Sequence, residues 1–241
     1  MIRGAHISAD GMKNEKQRHE VLADNLANSS TSGYKSYNIV HKLKAQESTG
    51  VIVGSEAYDT HYDFSSGAMR QTGNPLDLAI SGEGFFAVLD VQGDIAYTRN
   101  GHFNLDSNGF LVTQQGDQVL DGAFAPIYIG LEGVNSVNVL RNGNVQVNGD
   151  YVTTMQAFKF PENVGIIKKA QDKYVPAQEG IALETNFDTN IQQGFIEQSN
   201  VSSIKASTDM IQVQRNYESN QKAMKAQMDT MEMLVRISDL Q

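Results

Sequence analysis

The C-terminal part of the chain carries apolar side chains at alternating three- and four-residue spacing. Between residues 203 and 238 there is no Gly and no Pro. This pattern predicts one long amphipathic helix, about 54 Å in length at a rise of 1.5 Å per residue. The apolar positions of this predicted helix are Met210, Val213, Tyr217, Met224, Met231 and Leu234, with Met228 and Val235 as further apolar residues.

The N-terminal residues 2–27 repeat the helical pattern more weakly. Their apolar positions are Ile2, Ala5, Ala9, Met12, Leu22 and Leu26. An isolated helix is marginally stable in water, so each amphipathic end needs a partner for its apolar face. The two ends can form a hairpin within one chain, or they can pack against other subunits, and periodicity alone leaves both arrangements open. We predict that the ends pack as a coiled-coil-like unit and that their apolar positions form an assembly interface.

The middle of the chain has the pattern of a β structure. From about residue 74 to residue 176, short apolar runs alternate with turn signals. Asn-Gly dipeptides, a strong hairpin signal, occur at 100–101, 108–109, 142–143 and 148–149. Arg99-Asn100-Gly101 and Arg141-Asn142-Gly143 are each followed by alternating apolar residues, which we interpret as one hairpin used twice. We therefore predict a mainly antiparallel β domain over residues 74–179.

The stretches on either side of this β domain are rich in Ser, Asn, Gly and other polar residues. We expect residues 28–73 and 180–202 to run as extended connecting segments. Asn200 or Ser202 is placed to cap the C-terminal helix. The predicted fold class is therefore α+β. Residues 1–27 and 203–241 form a helical assembly domain, and the β domain is inserted between its two halves.

Composition excludes several classes of function. The net charge of −9 argues against a nucleic-acid partner, because no basic field is present to neutralise phosphates. The absence of Cys excludes disulfides, thiolate nucleophiles and Cys-ligated zinc. No stretch approaches the length of apolar sequence that a membrane-spanning helix requires, so we expect no membrane insertion. The N-terminal residues also contain no apolar run of signal-peptide length.

Candidate chemistry is weak. Gly82-Glu83-Gly84-Phe85-Phe86-Ala87 matches the dinucleotide fingerprint G-x-G-x-x-[GA]. That site needs a helix to begin there, so that its amides can meet the pyrophosphate, whereas the residues that follow are strand-like. The five histidines show no metal-ligand spacing, and no G-x-S-x-G nucleophile elbow is present. We therefore expect no catalytic residue, no metal ion and no cofactor.

A segment near the N-terminus resembles the signature NLAN-x-x-T-x-G-[FY]-[KR] of bacterial flagellar rod and hook proteins. The matching residues are Asn25, Leu26, Ala27, Asn28, Thr31, Gly33, Tyr34 and Lys35. Further segments resemble the same family in the same order along the chain, so that the resemblance spans nearly all of it. These segments are residues 73–80, 82–86, 97–101, 108–109, 111–113, 194–201 and 210–218.

The resemblance implies an axial structural protein, not an enzyme. Its expected partners are other rod and hook subunits, with which it assembles into a helical tube that transmits torque. It also implies location in the flagellar basal body, after delivery by the flagellar type III export apparatus without a cleaved signal peptide. An enzyme carried on the β domain and a non-flagellar coiled-coil adaptor are the alternatives from other functional classes.

The type of rod protein is a finer question. Only about 40 residues separate Lys35 from Pro75, which leaves no room for the extra segment that distal (FlgG-type) rod proteins commonly carry there. The segment MIQVQRNYE, in contrast, is similar to the distal type. We expect a proximal-type (FlgF-like) rod protein, with a distal rod protein or a hook-basal-body protein as the alternative.

Overall fold

The computed structural model of the chain describes residues 2–45, 52–131, 133–161, 164–170, 172–178, 183–186 and 190–238. The chain forms two compact units. The helical unit comprises Met1–Ser29, Ser36–Phe64 and Val201–Gln241, and the β unit comprises Ser30–Lys35 and Ser65–Asn200. The chain therefore passes from one unit to the other at four points.

The helical unit contains the two predicted terminal helices, α1 (Ile2–Ala27) and α2 (Ser203–Ser238). Ser202 caps α2, since the backbone N–H of Lys205 donates to Ser202 Oγ at 3.4 Å. Helix α1 ends where Asn28 donates twice to the carbonyl oxygen of Asp24, from its backbone N at 3.1 Å and from Nδ2 at 2.9 Å. The sequence predicted both helices and the capping role of Ser202 correctly.

The two helices pack against each other in opposite directions. Asn216 Nδ2 donates to Glu15 Oε1 at 3.3 Å. Gly11 and Gly4, which lie closer to the N-terminus of α1, are next to Asn220 and Gln227, which lie further along α2. The arrangement is therefore a hairpin within one chain, one of the two that the periodicity left open. Coiled-coil geometry and packing against other subunits stay predictions.

The helical unit also contains a β-hairpin formed by β1 (Tyr37–Ala45) and β2 (Ile52–Tyr62). The strands are antiparallel, with Tyr37 opposite Tyr62 and Ala45 opposite Ile52, and their register shifts twice along the ladder. This hairpin lies inside the stretch that the sequence predicted as an extended connection. Tyr37, Ile39 and Leu43 do follow the two-residue period of a strand, but the polar residues around them obscure that pattern.

The β unit is built from short antiparallel strands. They are β3 (Met69–Gln71), β4 (Leu78–Ser81), β5 (Phe86–Leu89), β6 (Ile95–Thr98), β7 (Phe103–Leu105), β8 (Leu111–Thr113), β9 (Gln118–Val119), β10 (Val137–Val139), β11 (Asn144–Val147), β12 (Asp150–Thr154), β13 (Ala157–Lys159), β14 (Ile166–Lys168), β15 (Lys173–Pro176), β16 (Glu184–Asn186), β17 (Asn190–Gln193) and β18 (Phe195–Glu197). The predicted α+β class and the mainly antiparallel middle are confirmed.

The strands combine into sheets of different sizes. The largest has seven strands in the order β14-β15-β6-β5-β9-β8-β7, and β10-β11-β12 form a three-stranded sheet. Three further pairs are β13-β16, β17-β4 and β18-β3. The last two pairs join the end of the β unit to its beginning, because β17 and β18 follow the other strands of the unit along the chain while β3 and β4 precede them.

The core of the β unit is an apolar cluster of buried residues. Its residues come from both ends of the unit and from the strands between them, and β17 contributes Ile191. Phe86 and Phe103 meet at its centre with their rings 5.2 Å apart and nearly perpendicular. The cluster comprises Leu78, Ile80, Phe86, Val88, Ala96, Phe103, Leu111, Val119, Ile127, Ile129, Val139, Val145, Met155, Ala157 and Ile191.

Three of the four Asn-Gly dipeptides form hairpin turns as predicted. Asn108-Gly109 joins β7 to β8, Asn142-Gly143 joins β10 to β11, and Asn148-Gly149 joins β11 to β12. Asn148 and Gly149 both have positive φ, 52° and 95°, as a two-residue hairpin turn requires.

The prediction for Asn100-Gly101 was wrong. This dipeptide joins β6 to β7, which are not neighbours in the sheet. Asn100 donates through Nδ2 to Asp172 Oδ2 at 2.8 Å, and the Gly101 carbonyl accepts from Leu78 N at 2.9 Å. These tertiary contacts, rather than a hairpin, determine the local backbone, so the resemblance to Asn142-Gly143 does not extend to its structure.

Candidate functional site

The predicted assembly positions on α2 lie mostly on the face turned towards α1. Val213 is buried there with 1% of its surface exposed, and the half-buried positions are Met210, Tyr217, Met224 and Met231. Met228 is 55% exposed and lies off this face. The side chain of Leu234 lies outside the described residues.

The predicted positions on α1 divide differently. Leu22 is buried, Met12 and Leu26 are half-buried, and Ala9 is exposed. The side chains of Ile2 and Ala5 lie outside the described residues. Whether any of these positions contacts another subunit stays a prediction.

Sequence reasoning missed three members of the α2 face. Ala206 is buried, and Asn220 and Gln227 are half-buried. With them the face has uninterrupted four- and three-residue spacing from Ala206 to Met231. The regular spacing itself could have found them, but two of the three are amides, which a search for apolar residues passes over.

Helix α2 also carries an outward line of exposed apolar residues, Ile204, Ile211 and Met233. They are 79%, 53% and 65% exposed, respectively. At about 100° of rotation per residue, these positions lie roughly opposite Val213. An apolar side chain left in water forgoes about 1.5–3 kcal/mol of burial energy, so the outward line is a candidate contact surface.

The first half of the family motif lies in the helical unit and connects α1 to β1. Asn25 Nδ2 donates to the Tyr37 carbonyl at 2.9 Å, and Tyr37 N donates to Asn25 Oδ1 at 3.3 Å. This amide therefore pairs with a strand backbone as another strand would. Burial and a hydrogen bond with Asp24 raise the pKa of the Tyr37 hydroxyl above its ordinary range. Asn28 ends the helix as described above, while Leu26 packs half-buried and Ala27 is exposed.

The second half of the motif lies in the β unit, where Gly33 makes a very close backbone approach. Its φ is +70°, and a Cβ at this position would lie 2.3 Å from the backbone N of Asn100. Gly33 N also donates to the Glu197 carbonyl at 2.8 Å. Only glycine fits this combination of backbone angle and contact.

Lys35 of the motif belongs to a buried charged cluster with Arg99 and Glu197. Lys35 Nζ lies 2.6 Å from Glu197 Oε1, and Arg99 Nη1 lies 3.2 Å from Glu197 Oε2. The exposed fraction of each of the three side chains is at most 2%. Such burial of charge is tolerated only where the ions are paired and their remaining hydrogen-bonding groups are satisfied.

Backbone groups satisfy much of this charged cluster. Lys35 Nζ donates to the Ser65 carbonyl at 2.6 Å, and Gly67 N donates to Glu197 Oε1 at 2.8 Å. Arg99 donates to the carbonyls of Ile80 and Gly82 at 3.1 Å and 2.5 Å. Both cations pair with the Glu197 carboxylate, and these carbonyl dipoles help to stabilise their positive charges. Burial lowers the pKa of the Arg99 guanidinium, and the charge of Glu197 partly offsets that effect.

The charged cluster connects segments that are distant in sequence. Lys35 and Glu197 are 162 residues apart, near the two ends of the part of the chain that forms the β unit. The sequence singled out Lys35, and it placed Arg99 and Glu197 in segments resembling the family, but it did not predict that they meet. Tyr34, the neighbour of Lys35 in the chain, is buried, with Lys168 Nζ 4.8 Å from the centre of its ring, and its backbone N donates to the Thr31 carbonyl at 3.4 Å.

A polar cavity of about 380 Å³ opens beside the motif loop, lined among others by Thr31, Asn100, His102 and Asp172. Its lining residues Asp172 and His102 are already paired. Asp172 accepts from Asn100, and His102 Nδ1 lies 2.8 Å from Asp77 Oδ1. Among the residues that the structure describes, no three His, Asp or Glu side chains are grouped as a metal site requires.

The Gly-rich segment at 82–84 is followed by strand β5, not by a helix. Gly82 and Gly84 both have positive φ, and a Cβ on Gly84 would lie 2.8 Å from the Ala157 side chain. The segment is therefore a tight turn packed on β13. In the described part of the chain, neither helix is long and apolar enough to cross a membrane.

Three families match successive parts of the chain. The family described as "Flagella basal body rod protein" matches residues 6–35, "Flagellar hook protein FlgE/F/G D1 domain" matches residues 79–147, and "Flagellar basal body rod FlgEFG protein C-terminal" matches residues 192–237. The first match contains most of α1 and the motif, the second lies in the β unit, and the third contains Glu197 and most of α2.

Whole-chain relatives agree with these families. The chain is 30% identical to the flagellar basal-body rod protein FlgF of Rhizobium meliloti over 223 residues, which cover 90% of each chain. It is also 30% identical to FlgG of Buchnera aphidicola subsp. Schizaphis graminum over the full length of both chains, and 29% identical to FlgG of Bacillus subtilis over 98% of this chain and 99% of that one. FlgF and FlgG relatives thus match at similar identity. The chain belongs to the flagellar basal-body rod protein family, a family of structural proteins rather than enzymes.

Proposed function

We propose that this chain is a subunit of the flagellar rod that assembles with copies of itself and with other rod and hook subunits into a helical axial tube, and that this tube transmits torque. Family membership supports the proposal, and the observation that carries it is the outward line on α2. The opposite face of α2 already packs on α1 within one chain. The outward line is therefore available for contacts between subunits.

The chemistry of the outward line suits such contacts. Arg215, Glu218 and Lys222 lie along the same side of the helix, are exposed, and alternate in sign. Apolar residues interspersed with charges of both signs can meet a different surface on the next subunit, and a heterologous contact of this kind propagates helically.

Aspartate at the outward line tests this proposal. Ile204→Asp together with Ile211→Asp places two charges where apolar burial is proposed, which opposes the contact because a carboxylate is costly to desolvate. We expect the purified subunit to keep its helix content and unfolding midpoint by circular dichroism, whereas cells carrying the variant lose motility and yield basal bodies without a complete rod.

Gln221→Asp is the matched control. Residue 221 is exposed on α2 but lies about 100° away from the outward line, so a carboxylate introduced there should leave motility intact. Normal rods with the double variant would show that the outward line is not an assembly surface.

Within the family, we propose a proximal-type, FlgF-like role. The short distance between Lys35 and Pro75 supports it. The test is complementation. The chain should restore rod assembly to cells lacking FlgF and fail to do so in cells lacking FlgG, and the reverse result would assign it to the distal type.

We further propose that the chain reaches the basal body through the flagellar export apparatus and keeps its N-terminal residues. The intact mass of the subunit recovered from purified basal bodies decides this point. A mass that includes α1 from Ile2 onwards agrees with the proposal, and loss of an N-terminal segment contradicts it.

A further inference from the structure

The face of α2 that packs on α1 contains two amides at otherwise apolar or small positions. Asn220 and Gln227 are both half-buried within the regular spacing that runs from Ala206 to Met231. A buried amide contributes less to stability than an apolar side chain at the same position. In helix pairs, a polar residue at such a position sets the register of the helices at a cost in stability.

Each amide lies over a glycine of α1. A Cβ on Gly11 would be 3.0 Å from Asn220 Nδ2, and a Cβ on Gly4 would be 2.9 Å from Gln227 Nε2 and equally far from its Oε1. The glycines are seven residues apart on α1 and the amides are seven residues apart on α2. Each amide therefore occupies space that the missing side chain of a glycine leaves open, and both pairs fit in one antiparallel register.

From this geometry we infer that the pairs Gly4–Gln227 and Gly11–Asn220 specify the register of α1 against α2. A slip of about one turn would place Asn220 opposite Ile7 or Glu15, where a side chain replaces the open space. A slip of seven residues would keep at most one glycine–amide pair and, in one direction, place Asn220 opposite Arg18. The Met positions discriminate less between such registers, because a flexible methionine side chain adapts to gaps of different shape.

Unsatisfied polar atoms on the two helices agree with a role in specificity rather than in stability. Gln227 Oε1 and Glu15 Oε2 are buried without a hydrogen-bond partner. Groups left in this way destabilise the hairpin. The inference concerns the hairpin of a single chain, so it holds or fails independently of the proposed assembly.

Distance measurements between spin labels test the register. The chain contains no Cys, so Lys13→Cys and Glu218→Cys provide unique labelling sites. Both residues are exposed. Lys13 follows Gly11 by two residues and Glu218 precedes Asn220 by two, so in the antiparallel arrangement the two labels lie at the same level. Double electron–electron resonance on the full-length monomer should give one narrow distance distribution for this parent.

Replacing both amides should release the register. In Asn220→Leu/Gln227→Leu the face becomes apolar throughout, and we expect a second distance component from hairpins slipped by seven residues, about 10 Å along the axis. Met224→Leu, an apolar exchange between the two amides, is the control and should keep the single distribution.

Exchanging the glycine and the amide of one pair tests the register even if the leucine variant does not fold. Gly11→Asn alone places two amides in one space and should broaden or lengthen the distribution. Adding Asn220→Gly restores one amide facing one glycine, with the composition of the parent, and should restore the narrow distribution. A broad distribution in the parent, an unchanged distribution in a folded leucine variant, or no rescue by the exchange would each overturn the inference.

Discussion

We predict that the members of the buried charged cluster contribute unequally to the stability of the β unit. Glu197→Gln removes the carboxylate that pairs with both buried cations, so we expect the free energy of unfolding of the β unit to fall by about 3–5 kcal/mol. Lys35→Met removes one cation and leaves the Arg99–Glu197 pair with matched charges, so its effect should be clearly smaller. Urea unfolding followed by circular dichroism measures both differences.

The control is an exposed ion pair of the same unit, in which Lys169 Nζ lies 2.8 Å from Asp94 Oδ2. The Asp94 carboxylate is largely solvated and Lys169 keeps Asp90 as a second partner, so Asp94→Asn should change stability by less than about 1 kcal/mol. If Glu197→Gln and Asp94→Asn destabilised the protein equally, the charged cluster would not hold the β unit together as described.

Gly33 offers a second prediction at the scale of one residue. Gly33→Ala forces a non-glycine residue to a φ of +70° and places its Cβ 2.3 Å from Asn100 N. Gly73→Ala has nearly the same backbone angle, φ +77°, but its Cβ meets nothing within 4 Å. The Gly73 variant should lose about 1–2 kcal/mol from the backbone conformation alone. Gly33→Ala should lose more, because backbone must move, and equal losses in thermal or urea unfolding would contradict the close approach.

At the scale of elements, the helices were predictable because their signals are local. The absence of Gly and Pro, the apolar period and a Ser at position 202 define α2 without reference to the rest of the chain. The same holds for the three Asn-Gly turns, whose backbone angles depend on the dipeptide itself. Asn100-Gly101 failed because its conformation depends on Leu78 and Asp172, which no local pattern brings close.

Pairing between distant segments was not predictable for a related reason. The meeting of Lys35 with Glu197, and of Gly4 with Gln227, depends on how whole elements stack. Residue type identified Lys35 as part of a motif, but a buried lysine and an exposed one look the same in a sequence. The hairpin of β1 and β2 was missed because its alternation is weak beside its polar content.

Helix α2 has two faces, and aspartate should act differently on each. Val213 is buried against α1, so Val213→Asp buries an unpaired carboxylate and should loosen the hairpin within the single chain. We expect lower helix content by circular dichroism and faster amide exchange along α1 in the purified monomer. Ile211→Asp, two residues away on the exposed side, should leave both quantities unchanged.

Charged substitutions at predicted assembly positions on the inner face of α2 do not separate assembly from folding. Met224 and Met231 are half-buried on the face of α2 that packs on α1. A charge at either position disturbs the hairpin before any contact with another subunit is made, so loss of motility in such variants would not identify an assembly surface. If Val213→Asp left the hairpin intact in solution, the packing of α2 on α1 would be in doubt instead.

At the scale of the whole molecule, the β unit closes on itself through its last two strands. Strand β17 pairs with β4 and strand β18 pairs with β3, and Glu197 at the end of β18 meets Arg99. We therefore expect a fragment of residues 65–200 to unfold cooperatively as a monomer. A fragment of residues 70–180 lacks β17 and β18, so it leaves β4 unpaired and the Arg99 charge without its carboxylate.

Urea unfolding of the two fragments, followed by circular dichroism and by amide exchange, tests this view of the β unit. The longer fragment should show one transition that coincides by both methods, at lower stability than the full chain because Lys35 and the motif loop are missing. The shorter fragment should show a broad transition or none, since an unpaired strand edge and a buried cation that has lost its ion-pair partner Glu197 both favour the unfolded state. Equal cooperativity and stability of the two fragments would mean that the β unit is complete before residue 181 and that the Arg99–Glu197 pair contributes little to its fold.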